Sequence, residues 1–177
     1  MTPDERATLL TIARDAVGAA ARGTRPSDRD GFPHALCEPG AAFVTLHVDG
    51  ELRGCIGHLH EHGPLWKSVR DMAAAAAERD ERFTPIGFGE LGRVSIDISV
   101  LSPMRRARPD EIVVGTHGLH IRHGSASGLL LPQVAVEWGW DRPTFLRETC
   151  RKAGLPPDAF LDPLAELSVF TAEVFGD

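Results

Sequence analysis

A chain of 177 residues with 42% hydrophobic and 25% charged content can bury a core as one domain or as two tightly joined lobes. Its formal net charge of −6 argues against a broad phosphate-binding surface and so against a nucleic-acid partner, and no apolar run is long enough to cross a bilayer. The start, Met1 to Arg6, lacks the basic-then-apolar pattern of a secretory leader. Cys37, Cys55 and Cys150 lie too far apart for a disulfide framework or a zinc site, so a reducing, cytoplasmic setting is expected.

Thr2-Pro3-Asp4-Glu5 reads as a helix start, with Thr2 as N-cap, Pro3 first in the helix and Glu5 closing a capping box. Leu9, Ile12, Ala13, Ala16, Val17 and Ala20 recur at helical spacing, and Gly23 is a natural stop. Residues 24–40, rich in Pro, Gly, Asp and Arg, predict a long surface loop. A strand over 42–48, a tight turn at Asp49-Gly50 and a returning strand over 51–59 make a hairpin. Alternation puts Arg53 and Cys55 on one face of the returning strand, and Leu52, Gly54 and Ile56 on the other. A helix follows over 64–79, from the apolar face Leu65, Val69, Met72, Ala73 and Ala76, and Phe83-Thr84-Pro85 breaks the chain after it.

Val94, Ile96, Ile98 and Val100 alternate with polar residues as in a half-buried strand that ends at Ser102-Pro103. Short strands are expected over 111–114 and 119–122, a turn tip over 125–128, and a short buried strand at Leu129-Leu130-Leu131-Pro132. Asp141 is placed to cap a helix reaching Ala153, with Gly154 just past its end. One last strand is predicted over 167–175. Helices interspersed with hairpins, without regular strand–helix alternation, indicate an α+β fold.

Chemistry is concentrated in Leu52-Arg53-Gly54-Cys55-Ile56-Gly57. An arginine on the same strand face would favour a thiolate at Cys55, making it a nucleophile, a redox centre or a metal ligand. Gly54 and Gly57 leave room for a ligand or another backbone to approach. The competing reading is a cysteine packed as a small hydrophobe in a tight hairpin. If the strand continued, His58, His60 and His62 would share one face, a conceivable metal site, although Gly63-Pro64 favours a loop. His117, His120 and His123 lie in a strand-and-turn region and read as solvated or hydrogen-bonding groups. Glu137, between Val136 and Trp138, is a carboxylate among large apolar groups, suited to acid–base work or to a structural bond with backbone. Cys150, near a helix C-terminus, reads as a packing residue. No Walker loop, dinucleotide GxGxxG or HExxH pattern is present, so neither cofactor nor metal is implied.

The hexapeptide at 52–57 occurs together with Ser99-Val100-Leu101-Ser102-Pro103, Gly115-Thr116-His117-Gly118-Leu119 and Lys152-Ala153-Gly154-Leu155. With Leu131-Pro132-Gln133-Val134-Ala135-Val136-Glu137 and Gly139-Trp140-Asp141, the set resembles the AMMECR-type domain family, in particular its bacterial form, the AmmeMemoRadiSam system protein A. The resemblance covers nearly the whole chain. It implies an α+β fold of mixed or antiparallel sheets flanked by helices, in a larger and a smaller lobe. It implies no established activity. Bacterial members are associated with a Memo-like protein and a radical SAM protein, which suggests a shared pathway. The Memo-like partner resembles a metal-dependent dioxygenase fold, chemistry that does not transfer to this chain. The family tends to read Asp-Pro-Arg-Phe where this chain has Asp80-Glu81-Arg82-Phe83, a departure expected to loosen a turn without touching the site.

Two functional expectations follow. The first is a module that binds a small ligand or a partner, with Gly54, Gly57, His117 and Gln133 as ligand-binding positions, Arg53 anchoring a carboxylate or phosphate, and the hairpin and the 131–141 segment presented to the partner. The alternative is an enzyme with Cys55 as nucleophile or redox thiol, Arg53 holding an anionic group and Glu137 or His117 as acid or base.

Overall fold

Thr2 opens the first helix as its sequence requires. In the computed structural model, which describes residues 1–28, 30–59 and 63–177, the Thr2 hydroxyl accepts the Glu5 N–H at 3.2 Å and the Glu5 carboxylate accepts the Thr2 N–H at 2.8 Å. Helix α1 (Pro3–Ala21) then buries Leu9, Ile12, Ala13, Ala16 and Val17 on one face, and Gly23 leaves it at φ +67°.

The loop that follows contains a short helix, α2 (His34–Cys37), which the composition of 24–40 does not disclose. Strands β1 (Ala41–Val48) and β2 (Glu51–Gly57) form the expected hairpin. Asp49 and Gly50 both have positive φ, 53° and 83°, the backbone that a two-residue turn between twisted strands needs. Strand β2 ends at Gly57 rather than 59. Helix α3 (Leu65–Glu78) follows, with Pro64 as its N-cap rather than its first residue. A short 3₁₀ segment, Phe88–Arg93, leads to β3 (Val94–Leu101).

The next part holds β4 (Arg105–Arg106), β5 (Gly118–His123) and β6 (Ala126–Leu130). Then come α4 (Pro132–Glu137), α5 (Arg142–Lys152), β7 (Glu166–Phe170) and β8 (Ala172–Gly176). The first sheet has the order β2-β1-β3-β8 and the second β4-β7-β5-β6. The fold is therefore α+β, with two antiparallel four-stranded sheets. The chain forms two compact units, one of Met1–Leu101 with Glu173–Asp177 and one of Ser102–Ala172.

In the first unit, Ala42, Val44 and Leu46 of β1 and Ile96 and Ile98 of β3 share a core with α1 and α3. In the second, Leu119, Ile121 and Val169 pack with Phe145, Leu146 and Cys150 of α5. Asp141 caps α5 as expected, accepting the Thr144 N–H at 2.9 Å, and Gly154 follows it at φ +72°.

Four expectations need correction. Residues 111–114 form no strand, because a 3₁₀ turn over Pro109–Glu111 runs straight into a further turn. The hairpin tip is Gly124-Ser125, and Ala126–Gly128 already pair with β5. Leu129 and Leu130 end that half-buried strand, whereas Pro132 begins a helix. The single strand over 167–175 is two strands in different sheets. Thr171 separates them, its N–H donating to Ser102 Oγ and its carbonyl accepting the Ser102 N–H, both at 2.9 Å. Among the described residues, no helix is long and apolar enough to cross a membrane.

Candidate functional site

The first sheet has two unlike faces. Alternation along β1 sends Ala42, Val44 and Leu46 toward α1 and α3, and Phe43, Thr45 and His47 to the opposite face. Cys55 pairs with Thr45, which pairs on its other side with Asp97 of β3, so these residues form one cross-strand row. The Thr45 hydroxyl donates to Cys55 Sγ at 3.3 Å. His47 Nδ1 lies 3.4 Å from Asp97 Oδ2. The face opposite α1 and α3 thus gathers a half-buried thiol, a hydroxyl, an imidazole and a carboxylate.

The backbone of Cys55 is held by a residue 25 positions away. Its N–H donates to Asp80 Oδ2 at 2.8 Å. Arg82 grips the same carboxylate through Nε to Oδ1 at 2.9 Å and Nη2 to Oδ2 at 2.6 Å, and Nη2 also reaches the Cys55 carbonyl at 3.4 Å. Asp80 is buried, its side chain only 6% exposed, while that of Arg82 is 58% exposed. The Arg82 guanidinium, reinforced by the backbone N–H groups of Cys55 and Arg82, holds the Asp80 carboxyl well below the usual carboxylate range. The departure from the family pattern is Glu81 alone, an exposed residue between the two that bond the N–H and the carbonyl of Cys55.

Arg53 has another task. The β1–β2 register shifts between Leu46 and His47: Gly54 faces Leu46 and Leu52 faces His47, leaving Arg53 as the extra residue of a bulge. Its guanidinium donates to Glu90 Oε1 at 3.1 Å, to the Thr84 hydroxyl at 3.2 Å and to the Thr84 and Pro85 carbonyls, and its side chain is only 17% exposed. Glu90 also accepts the Gly87 N–H, and that backbone bond, followed by Arg53, lowers its pKa. Arg53 thus clamps the 84–90 segment instead of presenting a fork to a ligand. The cation beside Cys55 is Arg82.

The glycines are also accounted for by packing. A Cβ on Gly54 would lie 2.2 Å from the Ala76 carbonyl oxygen of α3, and one on Gly57 would lie 2.2 Å from the Phe43 ring. The space that was expected to admit a ligand is filled by a helix backbone and an aromatic side chain. Both glycines serve close approach within the protein.

The other expected site residues belong to the second unit. Glu137, the last residue of α4, is exposed, as are its neighbours Val136 and Trp138, so it is not a carboxylate buried among apolar groups. His117 Nδ1 accepts the Val113 N–H at 3.1 Å, which closes the turn before β5 and fixes the ring proton on Nε2. Gln133 lies in the first turn of α4 and is half-buried. His120, buried on β5, meets Ser127 Oγ at 3.0 Å, and His123 meets Asp162 at 3.2 Å. Cys150 is fully buried, and burial pushes its thiol pKa up, in keeping with packing. His58 follows β2, while His60 and His62 lie outside the described residues. Among the described residues, no three His, Cys, Asp or Glu side chains converge on a possible metal position.

Asp80, Arg82, Thr45, His47 and Asp97 escaped the sequence reading. Only the first two left a trace, in the Asp80-Glu81-Arg82-Phe83 string. The others come to Cys55 through strand register alone.

Comparison with known proteins fits this picture. A protein of Methanothermobacter thermautotrophicus is 42% identical over 186 residues, covering 99% of this chain and 95% of its own. A protein of Pyrococcus furiosus is likewise 42% identical, over 94% of this chain and 85% of its own. The crystal structure of an uncharacterized protein from Pyrococcus horikoshii superimposes with a TM-score of 0.94 at 38% identity, covering 100% of this chain and 93% of that one. The sequence profile of the AMMECR1 family matches residues 10–175, and the chain belongs to that family.

Proposed function

We propose that this protein is a binding component, acting with partners in a pathway shared with a Memo-like protein and a radical SAM protein, in the cytoplasm. One observation carries the reading. The second unit displays Val113, Val136 and Trp138 at 53%, 60% and 71% exposure, with the Trp138 and Trp140 rings stacked at 6.1 Å. Val136 also lies against Gly115, where an added Cβ would meet it at 3.1 Å, so the turn after Val113 and helix α4 form one surface. Exposed aromatic and branched residues grouped in this way are the usual anchors of a protein interface. The test is titration of the purified chain against each partner class by calorimetry. A complex at micromolar concentration, weakened at least about tenfold by Trp138→Ser, is expected. No complex, together with turnover of a small molecule by the isolated chain, would overturn it.

A second reading is supported by the row Cys55–Thr45–Asp97 with His47 beside it. A half-exposed thiol that accepts a hydroxyl bond, on the face bearing a His–Asp pair, suits a nucleophile or redox thiol. Under this reading Cys55 is alkylated by iodoacetamide at neutral pH faster than the exposed Cys37, and Cys55→Ser abolishes activity. Slower alkylation than Cys37, with function retained in Cys55→Ser, removes it.

A further inference from the structure

A concavity lies in the first unit, between α1, residues 24–27 with Phe32, and the start of α3, lined by groups that neither reading above employs. Its volume is ≈ 270 Å³, which suits an occupant of one or two rings. Its walls mix polar and apolar groups. Ile12, Ala16 and Ala19 come from α1, and Trp66 of α3 meets Phe32 with ring centroids 5.1 Å apart and planes inclined by 38°.

The cations divide into two kinds. Arg70 sits 5.2 Å from the Trp66 ring and is paired with both Asp28 and Asp71, and its side chain is only 12% exposed. It is a fixed wall whose charge is already answered. Arg22 and Arg25, on the rim, make no ion pair among the described residues. Asp15 is the one carboxylate among the described residues that line the cleft. A recess with one aromatic pair in its wall and exposed guanidinium groups along its lining is complementary to a flat ring bearing a carboxylate: the ring removes apolar surface from water and the planar forks match the carboxylate.

We propose that this cleft binds a small aromatic carboxylate, with its ring against Trp66 and Phe32 and its carboxylate between Arg22 and Arg25. The site shares no residue with the Cys55 row or the Trp138 surface, so it stands or falls independently of both functional readings.

The test is an NMR titration of the ¹⁵N-labelled full chain with benzoate, salicylate and 1-naphthoate, following the Trp66 indole N–H. A saturable shift of that resonance is expected, absent with inorganic phosphate and at least about tenfold weaker with the neutral 1-naphthalenemethanol. Arg22→Gln and Arg25→Gln, both at exposed rim positions that leave the fold intact, are each expected to weaken 1-naphthoate by roughly tenfold. Three results would overturn the proposal: no Trp66 shift with any carboxylate up to ~10 mM, equal binding of the neutral analogue, or affinity unchanged in both arginine variants.

Discussion

Gly54→Ala separates two explanations of the signature hairpin, room for a ligand or room for a helix. The added Cβ would stand 2.2 Å from the Ala76 carbonyl oxygen and 3.1 Å from its carbon, where ordinary contact begins at 3.4 Å. Both obstacles are backbone, so no rotamer change relieves them, and β2 and α3 must part by about 1 Å. Overpacking of this kind costs up to about 3 kcal/mol, and the reduced freedom of the unfolded chain returns at most about 1 kcal/mol. A net loss of about 2 kcal/mol is expected, or roughly 4–8 °C in melting temperature for a chain of this size. Urea unfolding in a Trp138→Phe, Trp140→Phe background would follow Trp66, on α3 itself. Gly89→Ala is the control. Nothing lies within 4 Å of a Cβ there, and its stability should stay within about 0.5 kcal/mol. A Gly54→Ala protein as stable as wild type would refute the packing argument, and lost binding in that variant would restore the ligand one.

Asp80→Asn is expected to cost about 1–2 kcal/mol at pH 7, since the amide keeps one acceptor for the Cys55 N–H but loses the charged pair with Arg82. The native Asp80 pKa is depressed, so its contribution is complete above the unfolded value, about 3.9, and declines as pH falls below it. Urea midpoints at pH 7, 5 and 3 should therefore converge between the two proteins only at the acid end; a gap that widened toward pH 3 would contradict the sign. Thr2→Ala removes the capping box and should lower stability by about 1 kcal/mol, whereas Thr8→Ala, outside the cap, should change it by much less; equal losses would count against the cap. Gly128→Ala would place a Cβ 2.5 Å from the Ala153 nitrogen, and should destabilise the second unit by about 2 kcal/mol, read from amide exchange in β5 and β6. Cys150 should resist alkylation in the folded protein and react only on unfolding; rapid native labelling would contradict its burial.

What could be read directly from the chain depends on neighbours a few residues apart. The Thr2–Glu5 box, the Asp49-Gly50 turn and the Asp141 cap are each complete within about one turn of backbone, and the apolar stripe of α1 repeats at a fixed local spacing, so local chemistry determined them. The residues of the candidate site were legible as far as Cys55 itself. Alternation could also place Arg53 beside it, but a bulge and the 84–90 segment turn that arginine to Glu90, and neither is visible in a period of two. Gly54 and Gly57 announce close approach without naming what approaches; tertiary packing supplied Ala76 and Phe43. Residues 167–175 read as one strand, yet at Thr171, bonded to Ser102 far away in the chain, they divide into two strands in different sheets. The local sequence, Asp49-Gly50 with the hexapeptide after it, determined that a thiol sits in a tight hairpin, because turn and strand preferences are local. That its backbone is gripped by Asp80 and Arg82, and that its sulfur shares a face with Thr45, His47 and Asp97, was decided only when strand register and helix packing brought those residues together.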